Sequence, residues 1–198
     1  MKEKIINFWQ QNRSEIREWT DSILIAFVLA MFIRTFFIQA FKIPSGSMRM
    51  TLLEGDRLMV NKLRYGPMLP FTNYRFPGFS HVQRGDIIVF KYPEDPKRDF
   101  IKRVIGLPGE KVEIKDGRIY INDQIIEDIV IKRTYYYNRG TYGENDQPIF
   151  VPKGHFYVLG DNSPSSSDSR FWGFVPKKNV LGKAIFRWWP PKRIGLIR

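Results

Sequence analysis

Apolar and polar positions alternate in two regimes along the chain. From Ser22 to Ile33 the sequence reads SILIAFVLAMFI, twelve residues without a charge, and after Arg34 the run TFFIQAF continues to Phe41. Together these make about 20 residues, which at ~1.5 Å per residue match one bilayer core. The pattern predicts a transmembrane anchor helix over 20–42, behind a polar segment over 1–19 that includes Trp9 and Trp19. Arg34 is the costly position, since a mid-bilayer arginine costs about 2.5–3.5 kcal/mol unless it snorkels. Setting Trp19 at one interface and Arg34 toward the other relieves that cost. The same pattern also fits an amphipathic surface helix or the core helix of a soluble domain. Phe37-Ile38-Gln39-Ala40 supplies no small-residue cleavage site, so the segment reads as an uncleaved anchor. Lys2, Lys4, Arg13 and Arg17 precede it and favour a cytoplasmic N-terminus.

Beyond residue 43 the periodicity changes. Segments 56–63, 85–92, 100–106, 111–115, 118–122, 155–160 and 180–189 are short and rich in Ile and Val, and Gly, Pro or Asp bounds most of them. They predict a mostly β, antiparallel domain over 43–198. Asp116-Gly117, between two of these runs, is a strong hairpin signal because both positions tolerate positive φ. Segments 64–80 and 132–150 are rich in aromatic and polar residues and read as long loops, the second as a short insertion. No long helical periodicity appears after residue 43.

Composition narrows the choice of chemistry. The 198 residues carry 32 Lys and Arg against 20 acids, a formal charge of +12, which favours an anionic partner such as acidic headgroups or nucleic acid. There is no cysteine, so thiol catalysis and thiolate metal sites are excluded. His81 and His155 stand far apart with no metal-ligand spacing. Any serine nucleophile must therefore work with few imidazoles.

Two serines, Ser45 and Ser47, follow the anchor directly in FKIPSGSMRMTL. A serine hydroxyl is a weak nucleophile until a neighbouring base takes its proton. A lysine can serve if burial lowers its pKa from about 10.4 toward neutrality, a shift of about three units. Lys102 in DFIKRVI meets that requirement, because alternation places it on one face with Phe100 and Val104 while Ile101, Arg103 and Ile105 take the other. An edge-strand lysine that blocks aggregation fits the same spacing, and from spacing alone is the plainer reading. The stretch GDNSPSSSDSRFWGFVP (160–176) crowds hydroxyls, an amide and two aspartates together. Alone it reads as a solvated loop with an Asx-turn at Asp161 and Asn162; the other reading is a hydrogen-bonding shell around a base.

IPSGSM, DFIKRVIGLPGE and GDNSPSSSDSRFWGFVP, in that order behind an anchor, resemble the bacterial type I signal peptidases, and the resemblance runs from about residue 20 to 190. GDIIVFKYPEDPKRDF and DGRIYIND fit as well. The resemblance implies the β fold shared by signal peptidases and self-cleaving repressors. It implies a Ser/Lys endopeptidase that removes signal peptides from translocated preproteins after Ala-x-Ala-type sites, without metal or cofactor. Ser47 becomes the nucleophile and Lys102 the general base. Ser45 would donate to the oxyanion beside the Ser47 backbone N–H. Ser166, flanked by Ser165 and Ser167, would orient the lysine. Asp161, Asn162, Asp168 and Arg170, with Arg103, would hold the site together. Ile43, Pro44, Met48, Leu52, Phe100 and Ile101 would line the pockets for small substrate residues.

The resemblance also implies a single-pass protein of the bacterial cytoplasmic membrane, its catalytic domain outside the cytoplasm. It would be a monomer that meets preproteins delivered by the secretion translocase, touches anionic lipids and binds no nucleic acid. Met50 departs from the pattern, since relatives usually carry a proline there to stiffen the turn. Trp188 and Trp189, beside Arg187 and Lys192, suit either a headgroup interface or the core. Rival readings are a membrane-tethered β-domain gripping a ligand through its basic surface, with KRTYYYNR (132–139) as the candidate stripe, and an inactive homologue.

Overall fold

The computed structural model describes residues 2–70, 72, 74–145 and 147–197; the side chains of 2–12 and 14 lie outside that description, and with them those of Lys2, Lys4 and Trp9. The chain opens on one helix, α1 (Lys2–Phe36). Its stretch Glu15–Phe36 has a mean hydropathy of 1.6 and no buried residue, so it is long and apolar enough to cross a membrane. One expected boundary is corrected: the helix stops at Phe36 instead of 42, and residues 2–19 of the polar segment belong to the same continuous helix. Residues Ile38–Lys42 form strand β1, because pairing with β2 (Arg57–Asn61) competes successfully with helix continuation. Only Phe37 separates helix from strand.

The remaining strands are β3 (Ile87–Lys91), β4 (Asp99–Gly106), β5 (Lys111–Lys115), β6 (Arg118–Ile121), β7 (Gln124–Ile125), β8 (Ile149–Phe150), β9 (His155–Leu159), β10 (Val175–Pro176), β11 (Val180–Trp189) and β12 (Gly195–Leu196). All pairings among them are antiparallel. The larger sheet runs β1-β2-β11-β3-β4-β9-β10 with β12 on β11, and the smaller runs β7-β6-β5-β8. The β5–β6 hairpin turns at Asp116 and Gly117, with φ of 49° and 74°, as its two-residue sequence requires. Within the expected 132–150 loop, residues 134–145 and 147–148 are irregular, but Lys132 and Arg133 close a short helix, α2 (Ile129–Arg133), capped by the Asp128 carboxylate. The last α-helix among the described residues is α3 (Ser169–Trp172).

The core forms three clusters. Along β3, Ile87 and Val89 enter one cluster with Leu58, Val60, Ile101 and Ala184, while Ile88 and Phe90 enter another with Val104, Phe156 and Val158. Both sheet faces are thus covered, which is why IIVF reads as an unbroken apolar run. The third cluster joins Ile105, Tyr157 and Leu159 of the large sheet to Val112, Ile114, Ile119 and Ile121 of the small one.

Candidate active site

β1 delivers the chain straight to the site. Ile43 is tied by backbone bonds to Asp56 and Gly55, each 2.9 Å, and buried in the first cluster. Ser45 remains extended, and Gly46–Met48 make one turn of 3₁₀ helix. Met48 is fully buried, and its carbonyl accepts from Thr51 and Leu52 N–H at 2.9 and 2.7 Å. These bonds hold the turn at the place where relatives are expected to carry proline, and Met50 itself is exposed.

The turn is clamped from the loop after β9. Asn162 N–H donates to the Ser47 carbonyl at 2.9 Å, and Asn162 Nδ2 donates to the Gly46 carbonyl at 2.8 Å. Gly160 lies against the same carbonyl: a Cβ there would stand 2.6 Å from Ser47 O and overlap Ser166 Oγ. Asp161 N–H meets Met48 Sδ at 3.5 Å.

β4 brings the lysine. Its residues 99–102 pair with β3 alone, but Lys102 is buried and not a solvent-facing edge lysine, so the gatekeeper reading fails. Lys102 is 4% exposed and Ser47 is 6% exposed. Lys102 Nζ donates to Ser47 Oγ at 2.7 Å and to the Ile101 carbonyl at 3.1 Å. Burial lowers the Lys102 pKa from 10.5 to about 8; Asp168 and Asp161 pull it up and Arg170 pushes it down. The pair therefore joins a hydroxyl to an amine that can be neutral near physiological pH.

Two buried ion pairs frame the dyad. Arg103 grips Asp161 with Nε and Nη2, both at 2.8 Å, and Arg170 grips Asp168 in the same bidentate way at 2.8 Å. Arg103 leaves the Lys102 face as alternation requires, but the opposite face is equally dry. Thr51 Oγ1 donates to Asp161 Oδ2 at 2.6 Å and accepts from Arg103 Nη2 at 3.2 Å, tying the nucleophile turn to this pair. Arg170 also donates to Ser163 Oγ and to the Tyr137 carbonyl, each at 2.8 Å, so it carries the loop before β8 as well. Asp168 Oδ2 accepts from Gly160 N–H at 3.0 Å.

The serine run divides by burial. Ser166 is buried, while Ser165 and Ser167 are exposed and face a cleft. The expected hydrogen bond from Ser166 to Lys102 is absent: Ser166 Oγ is buried without a hydrogen-bond partner. The cleft, about 620 Å³, is lined by Pro44, Ser45, Ser47, Phe100, Ile101 and Lys102 among others. Ile43, Met48 and Leu52 are buried in the first core cluster, which Ile101 of the cleft wall joins. Arg98, Asp99, Ser165 and Ser167 also line the cleft. Sequence reasoning passed over Thr51, Ser163 and Gly160. Only Gly160 carried a signal, a glycine directly before the acidic loop.

A family model described as signal peptidase, peptidase S26, matches residues 16–189, which takes in every residue of this site. The chain belongs to that family. The Signal peptidase I of Leptolyngbya laminosa is 42% identical to this S26 chain over 189 residues, covering 92% of the chain and 84% of the relative. That of Pseudomonas aeruginosa is 33% identical over 212 residues, covering 90% and 75%. A solved signal peptidase I from Enterococcus faecalis V583 is 35% identical, with a TM-score of 0.44 over 52% of this chain and 97% of the other. In KRTYYYNR of this S26 chain Tyr136 is buried, while Tyr135 and Tyr137 are exposed and pack edge-on with centroids 5.0 Å apart, Arg139 lying over Tyr137. Arg57 lies 5.4 Å from the ring centroid of half-buried Trp188, and Trp189 is exposed.

Proposed function

We propose that this membrane-anchored S26 peptidase removes N-terminal signal peptides from translocated preproteins, with Ser47 as nucleophile and Lys102 as general base. The 2.7 Å contact between Lys102 Nζ and Ser47 Oγ, on a lysine whose pKa burial has lowered to about 8, carries the reading. Neutral Lys102 takes the Ser47 proton as Oγ attacks the scissile carbonyl carbon. The Ser47 backbone N–H and the Ser45 hydroxyl stabilise the resulting oxyanion. The Lys102 ammonium then protonates the departing amine, leaving an acyl-enzyme. Lys102, neutral again, draws a proton from water as that water attacks the ester; the bond to Ser47 Oγ then breaks as Oγ takes that proton back from Lys102, and the cleaved signal peptide leaves with its new carboxylate. Asp161, Asn162, Asp168, Arg103 and Arg170 keep the dyad in register.

An extended substrate fits the strand geometry. Residues 99–102 of β4 pair with β3 on one side, whereas pairing with β9 begins only at Arg103. Their free edge faces the cleft, so a peptide can add there by main-chain bonds while its side chains meet Pro44, Phe100 and Ile101. Basic residues ahead of the apolar stretch support a cytoplasmic N-terminus and a catalytic domain on the far side of the bacterial cytoplasmic membrane. The charge of +12 supports contact with anionic lipids. Substrate arrives from the secretion translocase, and one copy of the chain holds a complete site. The test is cleavage of a preprotein bearing an Ala-x-Ala site. Ser47→Ala and Lys102→Ala are each expected to abolish it, and near-normal cleavage by either would refute the dyad.

A further inference from the structure

The junction between anchor and catalytic domain is built as a clamp. A helix leaves its last carbonyls without intrahelical partners. Here Phe37 N–H satisfies Ile33 O at 2.9 Å, and the next carbonyls turn to one residue of the catalytic domain. Lys62 Nζ donates to Arg34 O at 3.1 Å and to Thr35 O at 3.3 Å, and Lys62 N–H donates to Phe37 O at 2.9 Å. Lys62 follows directly on β2, the strand between β1 and β11. An ammonium on the helix's carbonyl end also meets the negative pole of its dipole. Beside it, the Phe36 ring packs edge-on against Phe76, with centroids 6.1 Å apart.

This arrangement removes the freedom a one-residue connector would otherwise give. Phe37 alone could act as a hinge, yet its N–H and its carbonyl are both bonded, as are the carbonyls of the two residues before Phe36. From Phe37 the chain runs as β1 to Ile43, seven residues that at ~3.3 Å each span at most about 23 Å, and the nucleophile turn follows. The clamp is also close to the cleft. Burial lowers the Lys62 pKa with Arg34 adding to the effect, while the charge of Asp99, a cleft-lining residue, opposes it.

The geometry points to Lys62 as a positioning residue that locks the anchor helix and the catalytic sheet into one body, holding the cleft at a set height and tilt above the bilayer and so selecting the bond cut in a membrane-embedded preprotein. The inference rests on the peptidase reading above. A signal peptide still held in the bilayer presents its cleavage region at one level, and a site at a matching level meets one peptide bond. A site that swings would meet several, and each less often.

The test compares two substrates on the full chain in lipid vesicles: a preprotein whose signal sequence is embedded in the bilayer, and a short soluble peptide carrying the same Ala-x-Ala site. Lys62→Met keeps the side chain's length and removes the donor; a Gly-Ser-Gly insertion after Phe36 loosens the junction with Lys62 intact. Both variants are expected to cleave the soluble peptide within about twofold of the wild type. On the embedded preprotein both are expected to lose about tenfold in kcat/KM, the scale of a positioning defect, and to release products cut at flanking bonds. Lys62→Arg is expected to restore the single product. The chain has no cysteine, so spin labels on Leu29→Cys and Lys153→Cys report the junction directly. Their distance distribution is expected to be narrow with Lys62 and broad in Lys62→Met. Unchanged cleavage of the embedded preprotein by both variants, a narrow distribution in Lys62→Met, or equal losses on both substrates would each overturn the clamp. Failure of the wild type on both substrates would overturn the peptidase reading itself.

Discussion

Lys102→Met is expected to abolish activity and to stabilise the protein at the same time. The native environment lowers the lysine pKa from 10.5 to about 8. That difference, 10.5 minus 8, is roughly 2.5 units, or about 3 kcal/mol at ~1.36 kcal/mol per unit. The sign follows from where the proton sits. Below pH 8 both native and unfolded chains hold it, so the whole cost of the buried ammonium opposes folding. Between about 8 and 10.5 the unfolded chain keeps a proton that the native chain has released, so stability rises with pH until the cost has gone. Methionine fills the same space without a charge. Lys102→Met loses only the bonds to Ser47 Oγ and the Ile101 carbonyl, about 1 kcal/mol each at most. Net stabilisation at pH 7 is therefore about 1–3 kcal/mol. Urea unfolding of the full chain in micelles, followed by tryptophan fluorescence, measures the difference between the two proteins from pH 7 to 10. The gap should be widest at pH 7 and narrow above pH 8, while preprotein cleavage falls at least ~10³-fold. A variant no more stable than wild type at pH 7, or a gap that stays flat across the range, would refute the reasoning.

Four further outcomes follow from the same geometry. The kcat/KM for preprotein should rise with pH through about 8, because only neutral Lys102 accepts the Ser47 proton. Between pH 6 and 9 the neutral fraction climbs from ~1% to ~90%, an increase of about 90-fold, and a stopped-flow profile that falls over this range would contradict it. Ser45→Ala should lower kcat by about 10²–10³ with little change in KM, the signature of a lost oxyanion donor. Gly160→Ala should displace the nucleophile turn, because its Cβ would stand 2.6 Å from Ser47 O; a loss of about 1–3 kcal/mol in thermal or urea unfolding and a collapse in activity are expected. Asp161→Ala should destabilise the chain by about 3–5 kcal/mol by leaving the Arg103 guanidinium buried without its carboxylate, and Asp161→Asn, which keeps acceptor oxygen and volume, should cost less.

Much of this molecule was legible before folding was considered. The apolar run behind Trp19 specified a helix long enough for a bilayer. The Ile- and Val-rich segments between turn residues marked seven of the eight described strands longer than two residues, all but β1, because covered sheets demand unbroken apolar runs and hairpins demand residues that accept positive φ. Ser47, Lys102 and the acidic loop were visible as residue types in order. Other features depended on partners distant in sequence. Pairing with β2 ended the helix at Phe36 and drew 38–42 into a strand, against the local apolar pattern. The two-residue strands β7, β8, β10 and β12 exist only because a neighbour supplies their bonds. Alternation put Lys102 on an apolar face, but only its burial against Ser47, brought from 55 residues away, distinguished a base from an edge lysine. Burial alone separated Ser166 from Ser165 and Ser167. The sequence by itself determined which groups the chain can bring to a site. Which of them meet, and in how dry a setting, was decided by packing, since desolvation and strand pairing are properties of the assembled sheets and not of any one segment.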